Sequence, residues 1–281
     1  MDTATTQLLC GLNNEFYAQV SESFSATRQS PWNGWHACAQ MVQERVAFCA
    51  PVPAADYDCE ETEGCEGVAS QPFTVTDIAC GNLRFETFLA SQLEGHSLQM
   101  FAIDDCETLL PDEIAGQVTF QRLDVVEALM RGEGTLAASV RAPQADVLVS
   151  YGFMHHIPGI ELRERFLREL LAMAKPGGLV MASFWQFMNN ETLARKAAVT
   201  HAAALWDLRF RGLDDSQLDE GDYFLGWKDE VGIYRYCHHF TPEEVEHLVL
   251  SVADKAEVVS IFDADGRTDN LNRYVILQKH N

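Results

Sequence analysis

Basic side chains are scarce in this chain of 281 residues, which has 20 lysines and arginines against 42 aspartates and glutamates and a formal net charge of −22. Proteins that hold nucleic acid alone normally present a basic surface, because neutralising the phosphates supplies most of the affinity. Arg163, Arg165 and Arg168 lie close together, but their acidic neighbours favour a solvated, salt-bridged helix face. We therefore do not expect the chain to bind nucleic acid alone. A partner subunit that supplies basic surface is compatible with this expectation.

Long apolar runs and cysteine pairs are also missing. No segment has the uninterrupted apolar length that a bilayer span requires, and the N-terminus, MDTATTQLLCGLNNEFY, lacks the basic start of a secretory signal. Eight cysteines are scattered without a Cys-x-x-Cys pair, so we expect free thiols and a cytoplasmic protein. Neither a zinc-ligand spacing nor a Cys/His cluster is visible, so we expect no metal site.

An alternation of β-type and helical segments runs from residue 73 to residue 185. This pattern predicts a mainly parallel sheet covered by helices on both faces. Two β-rich runs near the C-terminus predict an antiparallel pair at the sheet edge. The predicted fold is a Rossmann-like, doubly wound, seven-stranded, mainly parallel sheet with an antiparallel edge strand.

We interpret residues 1–281 as one domain made of five regions. Ser30 and Pro31 have the residue types of an N-cap and a first helical position. The regions are N-terminal helices at 1–50, an acidic loop at 51–72, the strand–helix core at 73–185, a helical cap insertion at 186–232, and the last helix with the edge strands at 233–281.

The segment TVTDIACGNLRF, residues 74–85, has the form of a first strand, a ligand loop and a helix start. A three-glycine loop would read Asp-x-Gly-x-Gly-x-Gly. Here Asp77 and Gly81 are present, whereas Ala79 and Leu83 occupy the flanking glycine places. Small residues in such a loop let the backbone approach a ligand and donate its N–H groups.

Acidic residues follow the next two predicted strands. Asp104 lies 23 residues beyond Gly81, close to the roughly 20-residue spacing of a carboxylate that binds a ribose. Asp124 suits an adenine amine beside an apolar wall from Val125, although an acid there is more often a helix cap. Together these residues indicate an adenosine-type cofactor. The loop lacks the full glycine turn that a dinucleotide pyrophosphate needs, which favours S-adenosylmethionine.

These motifs resemble those of class I S-adenosylmethionine-dependent methyltransferases. The matching segments are DIACGNLRF, FAIDD, RLDVV, DVLVSYGFMHHIP and LLAMAKPGGLVMASF. The outer segments NNEFYAQVSESFSATRQSPW, RYCHHFTPEEVEHL and NRYVILQK resemble the tRNA wobble-uridine carboxymethyl methyltransferases within that class.

The resemblance implies a place for each cofactor-binding residue. The N-terminal helices would cover the cofactor, with Tyr17 and Arg28 closing over it and Arg28 facing its carboxylate. The other implied contacts are Asp77 at the first strand end, Ala79, Gly81 and Asn82 on the methionine side, Asp104 at the ribose, Asp124 and Val125 at the adenine, and Ser150 and Tyr151 beneath the sulfonium.

Catalytic candidates come from the histidines and from the Arg-Tyr-x-His motif of that group, here Arg235, Tyr236 and His238. Positioning supplies much of the rate of an in-line methyl transfer, and a general base is needed only if the acceptor loses a proton. His155, His156, His238 and His239 are the candidate bases near the predicted mouth, with His156 preferred, although a structural histidine is commoner. Arg235 could bind an acidic acceptor, or it could only pin the last strands to the cap.

The sequence leaves the function open between two classes. One is a methyltransferase acting on an O or N acceptor, such as the carboxylate of a modified tRNA uridine or a small acid. The other is a non-catalytic scaffold on a degenerate methyltransferase fold. Aromatic residues that border the cap are expected to pack inside it, or else to form a wall for a planar acceptor: Trp185, Phe187, Trp206, Phe210, Tyr223, Phe224 and Trp227.

Overall fold

The computed structural model describes residues 1–49, 72–111, 116–228 and 230–281, and all their side chains except those of 48 and 49. The predicted acidic loop at 51–72 therefore lies outside the described residues, apart from Pro72. The five cysteines whose side chains are described are free thiols. None of the helices in the described ranges combines the length and apolarity needed to cross a membrane.

The described ranges contain eight α-helices and nine strands. In chain order these are α1 (Thr3–Ser25), α2 (Asn33–Cys49), β1 (Phe73–Ile78), α3 (Arg84–Gln92), β2 (Leu98–Asp104), β3 (Val118–Arg122), α4 (Val125–Met130), α5 (Thr135–Ser139), β4 (Ala145–Ser150), α6 (Ile160–Met173), β5 (Ala174–Trp185), α7 (Glu191–Arg209), β6 (Asp222–Gly226), β7 (Tyr234–His238), α8 (Pro242–Leu250), β8 (Ala256–Ala264) and β9 (Asn272–Lys279).

Seven strands form one sheet in the order β3-β2-β1-β4-β5-β9-β8. Strands β1 to β5 are parallel, and β9 runs antiparallel to both β5 and β8. The predicted fold is confirmed, with the reversed strand one place in from the edge. From β1 the chain proceeds to β2 and β3 on one side and then restarts with β4 on the other side, so the strand order reverses between β1 and β4. Ligands of open α/β sheets bind at such a point.

Helices cover the two faces of the sheet with separate cores. On one face, α2 and α3 pack against alternate strand residues, among them Val147 and Val149. On the other face, α4, α5, α6 and α8 pack against the intervening residues, among them Leu148 and Val180. The alternation follows from the two-residue period of strands whose two faces are both buried.

Of the two N-terminal helices, the second begins at a place that differs from the prediction. α1 begins at Thr3, and its N-cap Asp2 accepts a hydrogen bond from Thr5 N at 2.7 Å. α2 begins at Asn33, beyond the predicted Ser30 and Pro31 start. The reason is a long-range contact: Asp265 Oδ1, beyond β8, accepts from Gly34 N at 3.0 Å. A carboxylate distant in sequence therefore satisfies this helix end.

The cap consists of α7 and an antiparallel hairpin of β6 and β7. The sequence predicted only helix and turns for residues 186–232. The predicted boundary after residue 232 falls inside this hairpin, between its two strands. The hairpin packs with α7 and α1 in a small apolar cluster that includes Leu12, Leu208, Phe224 and Tyr236.

Candidate functional site

A cavity of about 1280 Å³ opens at the carboxyl ends of β1, β2 and β4. Its wall is completed by the end of α1, the segment before α2, and the cap. Twelve of the fifteen predicted site residues line it: Tyr17, Arg28, Asp77, Ala79, Gly81, Asn82, Asp104, Asp124, Val125, Tyr151, His156 and Arg235. The other three, Ser150, Tyr236 and His238, lie outside it.

The loop after β1 has left-handed backbone at all three places where the motif has glycine. The φ angles are 67° at Ala79, 59° at Gly81 and 57° at Leu83. Ala79 N and Cys80 N both donate to Ile103 O, at 2.7 and 3.1 Å, and fix the turn to β2. A Cβ placed on Gly81 would have no neighbour within 4 Å, so the loop is open to the cavity. The motif conformation survives the loss of two glycines.

Asp104 ties this loop to the end of β2. Its Oδ2 accepts from Gly81 N at 2.9 Å and its Oδ1 accepts from Cys106 N at 2.8 Å. Burial raises the pKa of Asp104, and the two backbone donors oppose this shift. Asn82 connects the same loop to the end of α1, because its side-chain amide donates to Ser25 Oγ at 3.1 Å and to Arg28 O at 3.2 Å.

Two buried carboxyl groups lie beneath the loop. Burial raises the pKa of Asp77 well above its usual range, and the neighbouring Glu86 raises it further. Burial likewise raises the pKa of Glu86 to about 7. Asp77 Oδ1 and both Glu86 oxygens have no hydrogen-bond partner in the described part of the chain. Glu86 was not predicted from the sequence, although an acid among Phe85, Phe88 and Leu89 on one short helix is a visible signal.

Asp124 is the N-cap of α4 as well as part of the cavity wall. Its Oδ1 accepts from Glu127 N at 2.8 Å, and its Oδ2 accepts from Asn14 Nδ2 at 3.4 Å. The adjacent Val125 is buried and presents an apolar surface. Asp124 therefore caps a helix, which the sequence had allowed, and also lines the cavity.

Three arginines line the cavity among aromatic rings: Arg28, Arg235 and Arg84, whose Cζ lies 4.7 Å from the Trp35 ring. Arg28 is half-buried, with its Cζ 3.3 Å from the Phe24 ring centroid. Arg235 is buried, 5.5 Å from the Trp185 ring, and its Nη1 donates to Tyr17 OH at 3.2 Å. Burial, aided by repulsion from Arg235, lowers the pKa of Arg28 to about 10. Within the described ranges none of the three forms an ion pair with a carboxylate, although buried charges are normally paired.

His156 orients Tyr17. Its Nδ1 lies 3.0 Å from Tyr236 O and 3.3 Å from Asn13 Nδ2; the carbonyl is the nearer of the two and can only accept, which assigns the proton to Nδ1. Its Nε2 then accepts from Tyr17 OH at 2.9 Å. Burial, with repulsion from Arg235, lowers the pKa of His156 to about 3. The predicted base therefore stays neutral with its one lone pair engaged, so its role here is positioning.

A cysteine–histidine cluster, which the sequence did not indicate, lies at the same wall. The ligand atoms of His155, His156 and Cys237 lie within 4.8 Å of one another and all three residues are buried. The cluster does not suit a cation. Both nitrogens of His156 are engaged, burial raises the pKa of the Cys237 thiol to about 11, and the charge of Arg235 is close by.

Tyr236 and His238, predicted to be catalytic, belong to a buried polar network instead. His238 Nδ1 lies 2.7 Å from Asp222 Oδ1, and its Nε2 lies 2.7 Å from Glu244 Oε1. Arg163 Nη2 donates to Tyr236 OH at 2.8 Å. Residues 236 and 238 face away from the cavity because side chains alternate along β7, which leaves 235 and 237 on the cavity side.

Two further predictions need correction. Arg163 was expected on a solvated helix face, but its side chain is fully buried in the network that joins α6, the hairpin and α8. Ser150 was implied beneath the sulfonium, but its hydroxyl donates to Ile78 O at 2.9 Å inside the sheet. It therefore bonds β1 to β4.

Six of the seven aromatic residues that border the cap fall into three groups, and the seventh, Tyr223, is half-buried against the Phe187 ring. Trp185 and Trp227 line the cavity. Phe187 and Phe224 are fully buried in the cap. Trp206 and Phe210 are 66% and 80% exposed, so the expectation that they pack inside a lid is wrong.

Comparison with known proteins shows the fold. No protein-family model matches the chain. The tRNA (carboxymethyluridine(34)-5-O)-methyltransferase ALKBH8 of Mus musculus is 26% identical over 172 residues, which are 61% of this chain and 19% of the relative. The Macaca fascicularis protein of that name is 25% identical over the same shares. The chain thus spans about a fifth of the length of these curated relatives.

Two solved structures share the architecture. A structure of S-adenosylmethionine-dependent methyltransferases from Methanosarcina mazei has a TM-score of 0.50 and 18% identity over 74% of this chain and 92% of that chain. A structure described as the DhpI-SAM-HEP complex has a TM-score of 0.54 and 14% identity over 96% and 97%. The chain therefore has the fold of the class I S-adenosylmethionine-dependent methyltransferases.

Proposed function

We propose that this protein is an S-adenosylmethionine-dependent methyltransferase that esterifies the carboxylate of a small planar acid. The observation that carries the proposal is the pair Arg28 and Arg235, which border the cavity among aromatic rings without a carboxylate partner in the described chain. Guanidinium groups bind carboxylates through paired hydrogen bonds. In a chain of net charge −22, arginines kept free of acids favour anionic groups in the cavity: the cofactor's carboxylate at Arg28 and an acid acceptor at Arg235.

The residues of the cavity fit the cofactor. The left-handed loop at Ala79 to Leu83 leaves its backbone open to the cavity, as a methionine moiety needs. Asp104 would hold the ribose, Asp124 and Val125 would frame the adenine, and Arg28 would meet the amino-acid carboxylate. When bound, S-adenosylmethionine supplies a methyl group on a positively charged sulfur.

A carboxylate acceptor suits the groups around Arg235. The oxygen lone pair forms the new O–CH3 bond while the electrons of the S–CH3 bond stay on sulfur, so no proton has to be removed. His156 is neutral with its lone pair accepting from Tyr17, and a free base is not required of it. The residues then act by orientation: Arg235 binds the acid, and Tyr17 and His156 fix Arg235.

A small acid is favoured over tRNA because of charge. The curated relatives are named for a carboxymethyl group on a tRNA uridine, which is the same carboxylate chemistry. This chain would be repelled by the phosphates of a tRNA over most of its surface. Trp185 and Trp227 offer flat apolar walls for a ring.

The test is esterification of a panel of aryl and heteroaryl carboxylic acids, followed by mass spectrometry of the methyl ester and assay of S-adenosylhomocysteine. Arg235→Lys should raise KM for the acid about 10-fold or more with a smaller change in kcat, because the paired hydrogen bonds are lost and the charge is kept. Arg168→Lys, on the outer side of α6, is the matched control and should leave both unchanged.

The outcomes of this assay distinguish the candidate acceptors. Esterification of a small acid, with the expected KM change, supports the proposal. Turnover confined to carboxymethyluridine in tRNA, or turnover only of N–H acceptors, would overturn it. Cofactor binding without transfer to any carboxylate would overturn it too.

A further inference from the structure

Helix α7 has apolar side chains on two opposite faces. Its inner face packs on the β6–β7 hairpin through Ala197, Ala204 and Leu208, which are buried. Its outer face carries Val199, 74% exposed, together with the exposed Trp206 and Phe210. A surface helix normally presents polar residues on the side away from the core, so the outer face calls for an explanation.

The outer residues form one continuous stripe. Val199, Ala203, Trp206 and Phe210 recur at i, i+4, i+7 and i+11, which places them on one side of the helix. The Trp206 and Phe210 rings meet edge to face with centroids 5.8 Å apart. Contiguous exposed apolar surface of this kind marks interaction sites, whereas single exposed residues do not.

The stripe is complementary to itself. Its N-terminal half has small residues, Ala202 and Ala203 beside Val199, and its C-terminal half has the two large rings. When two copies of α7 pack antiparallel, Val199 of one copy lies opposite Phe210 of the other, and Ala203 lies opposite Trp206. Each ring then enters a space lined by small side chains, which is the packing that helix interfaces use.

The charges along α7 fit the same arrangement. Arg195 and Lys196 lie at its N-terminal half, and Asp214 follows its C-terminal end; all three are exposed. Antiparallel packing brings Arg195 of one copy toward Asp214 of the other, while Arg209 and Arg211 at that end are already paired with Asp215 and Glu15 within their own chain. This contact between opposite charges offsets locally the repulsion expected between two copies that each carry −22.

We propose that two copies of this chain associate through the outer faces of α7, packed antiparallel about a twofold axis. Such an isologous contact uses each residue twice. Large aromatic side chains bury about 150–250 Å² each, so one helix face supplies less than the roughly 800 Å² per partner of a standard interface. The dimer should therefore be reversible, with a dissociation constant on the order of micromolar to tens of micromolar.

Sedimentation velocity from 1 to 200 µM protein tests the proposal. The weight-average mass should rise from one chain toward two, and Trp206→Ala and Ala203→Glu should each weaken association at least 10-fold. Both positions are exposed, so circular dichroism should show folded variants. Leu250→Ala, which trims a residue 72% exposed on α8, is the matched control and should not change the mass.

Two results would overturn the dimer. One is a monomer at 200 µM. The other is a dimer that both α7 variants leave intact, since association would then use another surface. If the protein is monomeric and a labelled RNA binds it in a way that Trp206→Ala abolishes, the stripe belongs to a nucleic-acid contact and the proposal is likewise overturned. The outcome does not depend on catalysis, so it is separate from the proposed function.

Discussion

Ala79 and Leu83 hold backbone conformations that favour glycine, and their surroundings explain why they can. A left-handed conformation costs a residue with a side chain roughly 1–2 kcal/mol. At Ala79 the turn is held by the hydrogen bonds to Ile103 O. At Leu83 the side chain is buried beside Cys80 and Ala102. Contacts around the loop therefore replace the conformational freedom of glycine.

Replacing these two residues by glycine should have opposite effects. Ala79→Gly should raise the free energy of unfolding by up to about 1 kcal/mol, because it removes the left-handed penalty and little else. Leu83→Gly should lower it by about 2 kcal/mol or more, because lost burial and the cavity outweigh the relief. Urea denaturation measures both. Ala102→Gly, buried in β2, is the control and should be destabilising; an Ala79→Gly variant as unstable as that control would contradict the account.

Glu86 should make stability depend on pH near neutrality. Its ordinary pKa of 4.5 rises to about 7 in the fold, and Asp77 is raised as well. The folded protein thus holds a proton that the unfolded chain releases earlier, so this stabilisation is present at low pH and is lost as pH rises from about 4.5 through 7. The loss should be on the order of 1–3 kcal/mol.

The variant Glu86→Gln isolates that effect. Relative to the unmodified protein, its free energy of unfolding should improve between pH 5.0 and 7.5, because an amide releases no proton. Glu94→Gln, which changes an exposed glutamate beyond the same helix, is the control. If the curves of both variants run parallel to that of the unmodified protein, Glu86 does not titrate in this range.

The side chains of β7 alternate between the cavity and a buried polar network. Arg235 and Cys237 face the cavity side, and Tyr236 and His238 face the ionic network that fastens the hairpin to α6 and α8. Arg163 is the centre of that network, with Asp222 at 3.4 Å and Glu244 at 3.3 Å. The hairpin, and with it Arg235, is therefore held by polar contacts as well as by apolar packing.

Removing Arg163 should loosen the cap strongly. Arg163→Met should cost about 3–5 kcal/mol of unfolding free energy, because the buried carboxylate of Asp222 loses its cationic partner. Arg168→Met removes an arginine of the same helix whose pair with Glu164 is partly exposed, and should cost less than about 1 kcal/mol. Chemical denaturation compares the two. Equal effects would mean that the network contributes no more than a surface pair.

The elements that sequence reasoning predicted are those with strong local patterns. The alternation over 73–185 gave the sheet, and the strand ends at Asp77, Asp104 and Asp124 gave the cavity wall. The β6–β7 hairpin was missed because its short strands are specified by a network from α6 and α8, which are distant in sequence. The same dependence on tertiary contacts explains two wrong predictions: the catalytic roles of Tyr236 and His238, and the start of α2 at Ser30 and Pro31.

At the level of the whole molecule, the acidic charge should decide which acceptors can approach. With a net charge of −22, the chain alone should bind bulk tRNA with a dissociation constant weaker than about 100 µM at 150 mM salt, the weak end of non-specific binding. Fluorescence anisotropy with labelled tRNA measures this, with S-adenosylhomocysteine present. Binding below 1 µM would contradict the preference for a small acid.

The most direct test of the account is a calorimetric titration of S-adenosylmethionine into the purified protein, repeated with Asp104→Ala and with Glu246→Ala as an exposed acidic control. We expect one site of micromolar affinity, which Glu246→Ala should leave unchanged. Asp104→Ala should weaken binding about 100-fold or more, because the carboxylate proposed to hold the ribose and the anchor of Gly81 N are lost together. The absence of both heat and a thermal shift at millimolar ligand would contradict the account and would leave a scaffold on a methyltransferase fold.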